Sequence, residues 1–293
     1  MTDTPHDFHG RLAVFNAERL SPQSPDANWI SDIRTEAASK IAEGQFIEME
    51  RSKISAAAAL APTGAERFMD WFERLRHEGP GQNDALFPWL RSYASLEEMR
   101  WFLTQEAAGE AGFDDLLAIT QVKAPIRAKL EMASNYWDEM GRGHERGMHG
   151  PMLERVVKEL ALEPTIASTV WESLALGNLM VGLATNRRYA YQSIGALGVI
   201  EMTAPGRVSL INAGLQRLNV PVVTRKYFQL HAGLDIQHSK RWNLEVIAPL
   251  VSSQPELARW IAEGALLRLA SGARCFERYR AHFGLDALLR EAA

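Results

Sequence analysis

The chain is almost without cysteine: Cys275 is the only one in 293 residues. A single thiol forms no internal disulfide and supplies no thiolate cluster for structural zinc or an iron–sulfur centre. A reducing, cytoplasmic setting is the expectation. No run of Lys or Arg stands out, and the formal net charge is -4. Neither nucleic acid nor an anionic membrane is therefore expected as a partner. The start, MTDTPHDFHGRLAVFNAERL, lacks the basic segment and apolar run of a secretion signal. No stretch reaches the roughly 18 apolar residues of a membrane span, and even ESLALGNLMVGLATNRR is interrupted by polar residues. Strand alternation, Asn-Gly or Asp-Gly hairpins and solenoid repeats are missing too.

What is there is helical periodicity. Hydrophobic residues make up 46 % of the chain, enough to bury a full core. The first 25 residues, polar and carrying three prolines, are expected to form a loose arm. Helices are expected at 26–60 and 64–78, followed by a break at HEGPGQND. This divides residues 1–85, an arm and helical extension, from a main domain over 86–293. Ser95 and Glu98 form a capping box that opens a helix to about residue 121. Pro125 starts the next, which ends at the GRG of 141–143. Further helices are expected at 148–160, 165–184, 187–202, 206–218 (after a TAPG break), 224–248 and 254–282. The fold class is an all-α multi-helix bundle. The last helix either covers the bundle or forms a homodimer seam, and Cys275 on it reads as a buried hydrophobe rather than a nucleophile.

The chemistry concentrates in HAGLDIQH. At about 100° per residue, His231, Asp235 and His238 fall within one arc of about 60° on an otherwise apolar helix face. Imidazoles and a carboxylate on such a face are costly to bury unless something satisfies them, and a metal ion does so. One helix cannot close a site. Glu201 lies on the apolar stripe of SIGALGVIEM, near its expected C-terminus. Glu106 shares a stripe with Phe102, Phe113 and Leu117, and Glu110, one turn on, faces nearly the same way. NYWDEMGRGHERGMH adds Asp138, Glu139, His144 and His149. Carboxylates and histidines from several helices make the donor set of a di-iron or di-manganese site. The paired Glu-x-x-His motifs of ferritin-like bundles are missing.

The combination of FLTQEAAGEAGF, NYWDEMGRG followed by MHGPML, GALGVIEMTAPGR and YFQLHAGLDIQHSKRW resembles the heme-oxygenase-like di-metal oxidase and oxygenase family, the iron-containing redox enzymes. The likeness covers about residues 95–245. It implies a heme-oxygenase-like bundle and places the ligands on Glu106, Glu139, His149, Glu201, His231, Asp235 and His238. Glu110 competes with Glu106, and His144 with His149. It also implies two Fe2+ ions, with manganese as the chemical alternative, and dioxygen as co-substrate. The activity implied is N-oxygenation, oxidative decarboxylation or C–C cleavage of an amino-acid-derived or fatty-acid-like small molecule, drawing on an external electron donor where one is needed. Arg207, Tyr136 and Trp242 are the substrate-contact candidates. Two readings compete. One is a cofactor-independent enzyme of the same fold (quinone-forming oxidase or thiamin-salvage type), and the other a non-catalytic helical binding protein.

Overall fold

The computed structural model describes residues 3–25, 28–109 and 112–285. It is 80 % helical, without a strand among the described residues, so the all-α expectation holds. In chain order the helices are α1 (Pro5–Leu20), α2 (Trp29–Ala58), α3 (Ala65–Glu78), α4 (Leu86–Ser92), α5 (Leu96–Gly109), α6 (Phe113–Thr120) and α7 (Ile126–Glu139). There follow α8 (His149–Glu159), α9 (Trp171–Thr185), α10 (Ala190–Arg217), α11 (Lys226–Arg241), α12 (Ala248–Ser253) and α13 (Leu257–Phe283).

α10 is the axis of the bundle, packing against α13, α11, α4 and α9. Every residue from Gln192 to Val199 is buried. By length and composition the stretch Arg187–Arg217 could cross a membrane, but 61 % of its most apolar window is buried inside the bundle. Its apolar surface is spent on neighbouring helices. The approach of α10 to α13 rests on two glycines. A Cβ on Gly195 would meet the Ile261 carbonyl at 2.0 Å, and one on Gly264 would meet the Gln192 carbonyl at 1.8 Å. α13 is itself packed by α10, α2 and α9, so it covers the bundle as a largely buried helix.

Three expectations are corrected. The described residues 3–25 are not a loose arm: Thr4 and Asp7 form a reciprocal capping box with Pro5 in the first turn, and α1 follows. That helix docks on α9, with His9 held against Phe8, Phe46 and Trp171. The helix expected to reach residue 121 is split, since Gly112 adopts a left-handed φ of 69° before α6. TAPG does not break α10, which runs through Pro205. A proline there removes one intrahelical hydrogen bond, but packing on several sides holds the helix together.

Two stability predictions follow from this packing. Gly264→Ala forces α10 and α13 apart and should cost about 1–3 kcal/mol or more in denaturant unfolding. Gly44→Ala on α2, where an added methyl meets nothing, should instead be neutral or gain up to about 1 kcal/mol. Burial, reinforced by the Arg274 guanidinium, holds His9 down to about 4. Its unfolded value is 6.5, so between these limits the unfolded chain takes up a proton that the fold refuses. Its contribution, up to about 3 kcal/mol, is complete above pH 6.5 and lost as pH falls towards 4. His9→Phe should flatten acid unfolding over that window.

Candidate metal centre

Six of the seven expected ligands come together as two groups: Glu139, His149 and His231, and Glu201, Asp235 and His238. Within each group one donor atom per residue lies within 4.8 Å of the others. Donors about 2.1 Å from a common ion stand at most about 4.2 Å apart, so small rotamer adjustments close each group around a cation. All except the half-buried His231 are buried.

Each element delivers its ligands for a local reason. α11 carries His231, Asp235 and His238 on one face by the i, i+4, i+7 spacing. Glu201 comes from buried mid-helix α10, not from a helix end as expected. Glu139 and His149 lie ten residues apart and meet because the chain between them doubles back. Gly141, Arg142 and Gly143 all have left-handed φ, at 60°, 54° and 84°, and Met140 bridges to Met148. A Cβ on Gly141 would stand 2.3 Å from the Gly147 carbonyl carbon, so this turn needs glycine. His144 is left exposed on it. Spacing between α10 and α11 is set by Gly198, over which the Trp242 indole lies with 2.6 Å to an imagined Cβ.

Outer hydrogen bonds fix the orientation of the donors. His231 Nδ1–H donates to the Tyr227 carbonyl at 2.8 Å, which turns Nε2 to the site. His238 Nε2–H donates to Asp138 at 3.1 Å, and Asp138 is held by Arg142 at 2.6 Å. That leaves His238 Nδ1 facing Glu201, 3.5 Å away. Asn135 donates to the other Glu201 oxygen at 2.7 Å. A carboxylate or carbonyl behind each imidazole is the usual support of a metal-binding histidine.

The donor set fits a cation on two observations. The buried Nδ1 atoms of His149 and His238 have no hydrogen-bond partner, although Glu139 lies 2.5 Å from the first. Glu139 and Glu201 thus stand 2.5 Å and 3.5 Å from these two nitrogens without closing a hydrogen bond of good geometry. Protonation also runs against the bare site. Burial, with Glu201 adding to it, pushes Glu139 up to about 9. Burial, with neighbouring imidazoles, holds His149 and His231 down to about 4. Burial would lower His238 as well, but Glu201 and Asp138 raise it to about 9.

Glu106 belongs to neither group, although it lines a pocket shared with Glu139, Glu201, His231 and Asp235. Its Oε1 accepts from Tyr279 at 3.1 Å, and Arg268 and Arg207 are the charges nearest in effect. Periodicity placed it on the inward face but could not say which inner surface it reaches. The rival Glu110 lies outside the described residues. Among the substrate candidates, Arg207 lines a cavity beside both groups. Trp242 does not: it is wholly buried, donating to the Ile194 carbonyl at 3.2 Å. Tyr136 packs against the core and lines none of the described cavities beside the groups. Burial pushes the Cys275 thiol up to about 12, which rules it out as a thiolate nucleophile near neutral pH. Sequence reasoning missed Asn135 and Arg268. Asn135 shares the narrow buried stripe of Ala128, Met132 and Glu139 on an otherwise exposed helix, whereas Arg268 interrupts a largely buried one.

Two cavities flank the groups. An open cleft of about 570 Å³ is lined by Glu139, His149, Phe113, Leu153, Val157 and Tyr227, among others. A smaller pocket of about 110 Å³ reaches Glu106, Arg207, Arg268, Glu201, His231 and Asp235.

A family model described as "Iron-containing redox enzyme" matches residues 100–273, a span that contains all six grouped residues. Comparison with curated proteins finds no match. If Asp138 positions His238, Asp138→Ala should weaken Fe(II) or Mn(II) binding by about 10–100-fold. Anaerobic titration with circular dichroism as a fold control would measure this, and unchanged affinity would remove Asp138 from the site.

Proposed function

The chain belongs to the iron-containing redox enzyme family, and on that premise we propose that it is a non-heme di-iron oxidoreductase that activates dioxygen against a small-molecule substrate. The observation that carries the reading is the pair of adjacent groups of three donors, with His231, His238 and Glu201 oriented by hydrogen bonds from behind and a buried imidazole Nδ1 facing a carboxylate in each group. Glu139, His149 and His231 would hold one ion, and Glu201, Asp235 and His238 the other. Two ferrous ions, when bound, supply the electrons by which dioxygen is reduced.

The chain's own residues do the rest. Asn135 and Asp138 keep Glu201 and His238 in register, so the open side of the pair stays turned to the cavities. Phe113, Leu153 and Val157 give the cleft an apolar wall that limits water at the centre. Glu139 and His238 hold protons at neutral pH in the metal-free chain, so ion uptake releases them. Reducing equivalents beyond those of the ions would come from an external donor. Burying three carboxylates this close without a cation forces Glu139 and His238 to hold protons well above their ordinary range. A cofactor-independent enzyme of the same fold or a simple scaffold gives no reason for that arrangement.

Anaerobic Fe(II) titration followed by stopped-flow absorption on mixing with dioxygen tests the reading. The expected result is two equivalents per chain and a transient visible absorption that His238→Ala abolishes. Absence of iron uptake by the folded protein would sink it.

A further inference from the structure

Between the inner pocket and the surface at the end of α13 stands a line of side chains that the metal groups do not use. α5 contributes Trp101 and Glu106, and α13 contributes Tyr279 and His282. Glu106 lines the pocket of about 110 Å³ together with Glu139, Glu201, His231 and Asp235. Tyr279 is fully buried. Its hydroxyl donates to Glu106 Oε1 at 3.1 Å, and Ser173 Oγ donates to it at 2.8 Å. The Tyr279 ring meets Trp101 edge to face, with centroids 5.6 Å apart. The half-buried Trp101 indole in turn lies flat on the exposed His282 imidazole, at 3.6 Å and 4°. Glu106, Tyr279, Trp101 and His282 thus lead in contact from the pocket to solvent.

The make-up of this line is selective. The other rings against Tyr279 are Phe102 and Phe276, and Trp89 reaches Trp101 only through Phe283. Phenylalanine gives up an electron far less readily than tyrosine or tryptophan. Among the described ring contacts, Trp101 is therefore the one that can exchange an electron with Tyr279. Burial pushes the Cys275 thiol, one turn before Tyr279, up to about 12, so it offers no thiolate. Burial also holds the Tyr279 phenol well above its ordinary range. Its electron therefore leaves only together with the hydroxyl proton, for which Glu106 stands at hydrogen-bond distance. Burial, then Arg278, lowers His282, so a neutral imidazole rather than a second cation faces the indole when it is oxidised.

We propose that Trp101 and Tyr279 form a relay that carries single electrons from a reductant at the His282 surface to the oxidised iron centre. The inference rests on the reading of the two donor groups as that centre. In the inner step Tyr279 gives one electron to the centre and its Oη proton to Glu106 Oε1, leaving a neutral tyrosyl radical. In the outer step Trp101 gives one electron to that radical, Glu106 returns the proton to Oη, and the phenol is restored. A one-electron reductant in solution then refills the Trp101 radical cation. Each pass moves one electron inward, oxidises the reductant by one electron and leaves the protons of the chain where they began. A tyrosine buried only for packing and hydrogen bonding would be served equally by phenylalanine at position 101.

The test is photo-oxidation of the metal-free full chain. Ala281→Cys, at the exposed end of α13, carries a thiol-linked ruthenium photosensitiser, while the fully buried Cys275 stays unlabelled. A flash in the presence of an oxidative quencher leaves Ru(III), which should draw an electron from Trp101 and, through it, from Tyr279. The expected result is a tyrosyl radical in transient absorption and electron paramagnetic resonance. Tyr279→Phe should abolish it and leave a tryptophanyl signal in its place. Trp101→Phe should abolish the tyrosyl signal although Tyr279 is intact, which a purely structural Tyr279 would not produce. Glu106→Gln, which keeps a hydrogen-bond acceptor but no base, should lower the tyrosyl yield. If Tyr279→Phe fails to fold, Trp101→Phe at its half-buried position decides the matter. The proposal is overturned if no tyrosyl radical forms, if it survives Tyr279→Phe, or if Trp101→Phe or Glu106→Gln leaves it unchanged. Fe(II) uptake by the same proteins separates this inference from the di-iron reading. Iron uptake without the radical overturns the relay alone, whereas a radical in a chain that takes up no iron overturns the di-iron reading and with it the relay's destination.

Discussion

Three carboxylates and three imidazoles buried within a few ångströms of one another cannot all keep their ordinary ionisation. Burial and mutual repulsion drive Glu139 up to about 9, while His149 and His231 are held neutral at about 4. Divalent ions resolve the conflict by favouring the deprotonated carboxylates and neutral imidazoles at once. Much of the bundle can be understood as what keeps these groups from escaping it. A flexible scaffold would let Glu139 swing to water or let His238 pair fully with Glu201. Here the groups are fixed by helices whose other faces are packed.

The rigidity has a traceable origin. α10 meets α13 almost backbone to backbone through Gly195 and Gly264, which locks the helix that bears Glu201. Gly198, one turn before Glu201, seats Trp242 and so sets how near α11 can come. Directly after the ligands, α11 passes through a π-helical stretch at Trp242–Ile247. A π turn rotates everything beyond it by about one residue's worth, roughly 100°. The apolar residues Val246, Leu250 and Val251 are thereby turned into the core, while His231, Asp235 and His238 keep their own face. The glycine turn at 141–147 supplies the remaining join, bringing α8 back against the end of α7.

Legibility in the sequence followed the range of the interaction. The α11 face was readable because i, i+4, i+7 spacing is a property of the helix alone, and Glu201 because a charged residue interrupted an apolar stripe. Glu139 with His149 was not readable from periodicity, since their meeting depends on left-handed residues around GRG; only the resemblance to a known family paired them. Periodicity put Glu106 on an inward face, yet α13 lies across from it with Tyr279 and Arg268, and that partner is remote in sequence. Trp242 was misjudged for the same reason: an aromatic beside the ligands turned out to be filling the space above Gly198. The proline-rich start misled because Thr-Pro-His-Asp was counted as polar coil, when its spacing is that of a capping box. Pro205 misled in the opposite sense, because packing around α10 outweighs a missing hydrogen bond.

The two walls of the inner pocket share one electrostatic logic. Two divalent ions would bring four positive charges against the three carboxylates of the grouped residues, so a centre filled in that way would remain positive by one. Across the pocket, Arg207 and Arg268 outnumber Glu106, which leaves a second positive excess. Among the described residues neither arginine has an ion-pair partner, and Arg207 is held by ring faces and a threonine hydroxyl instead. A neutral apolar substrate would leave that charge buried at a cost of several kcal/mol per ion.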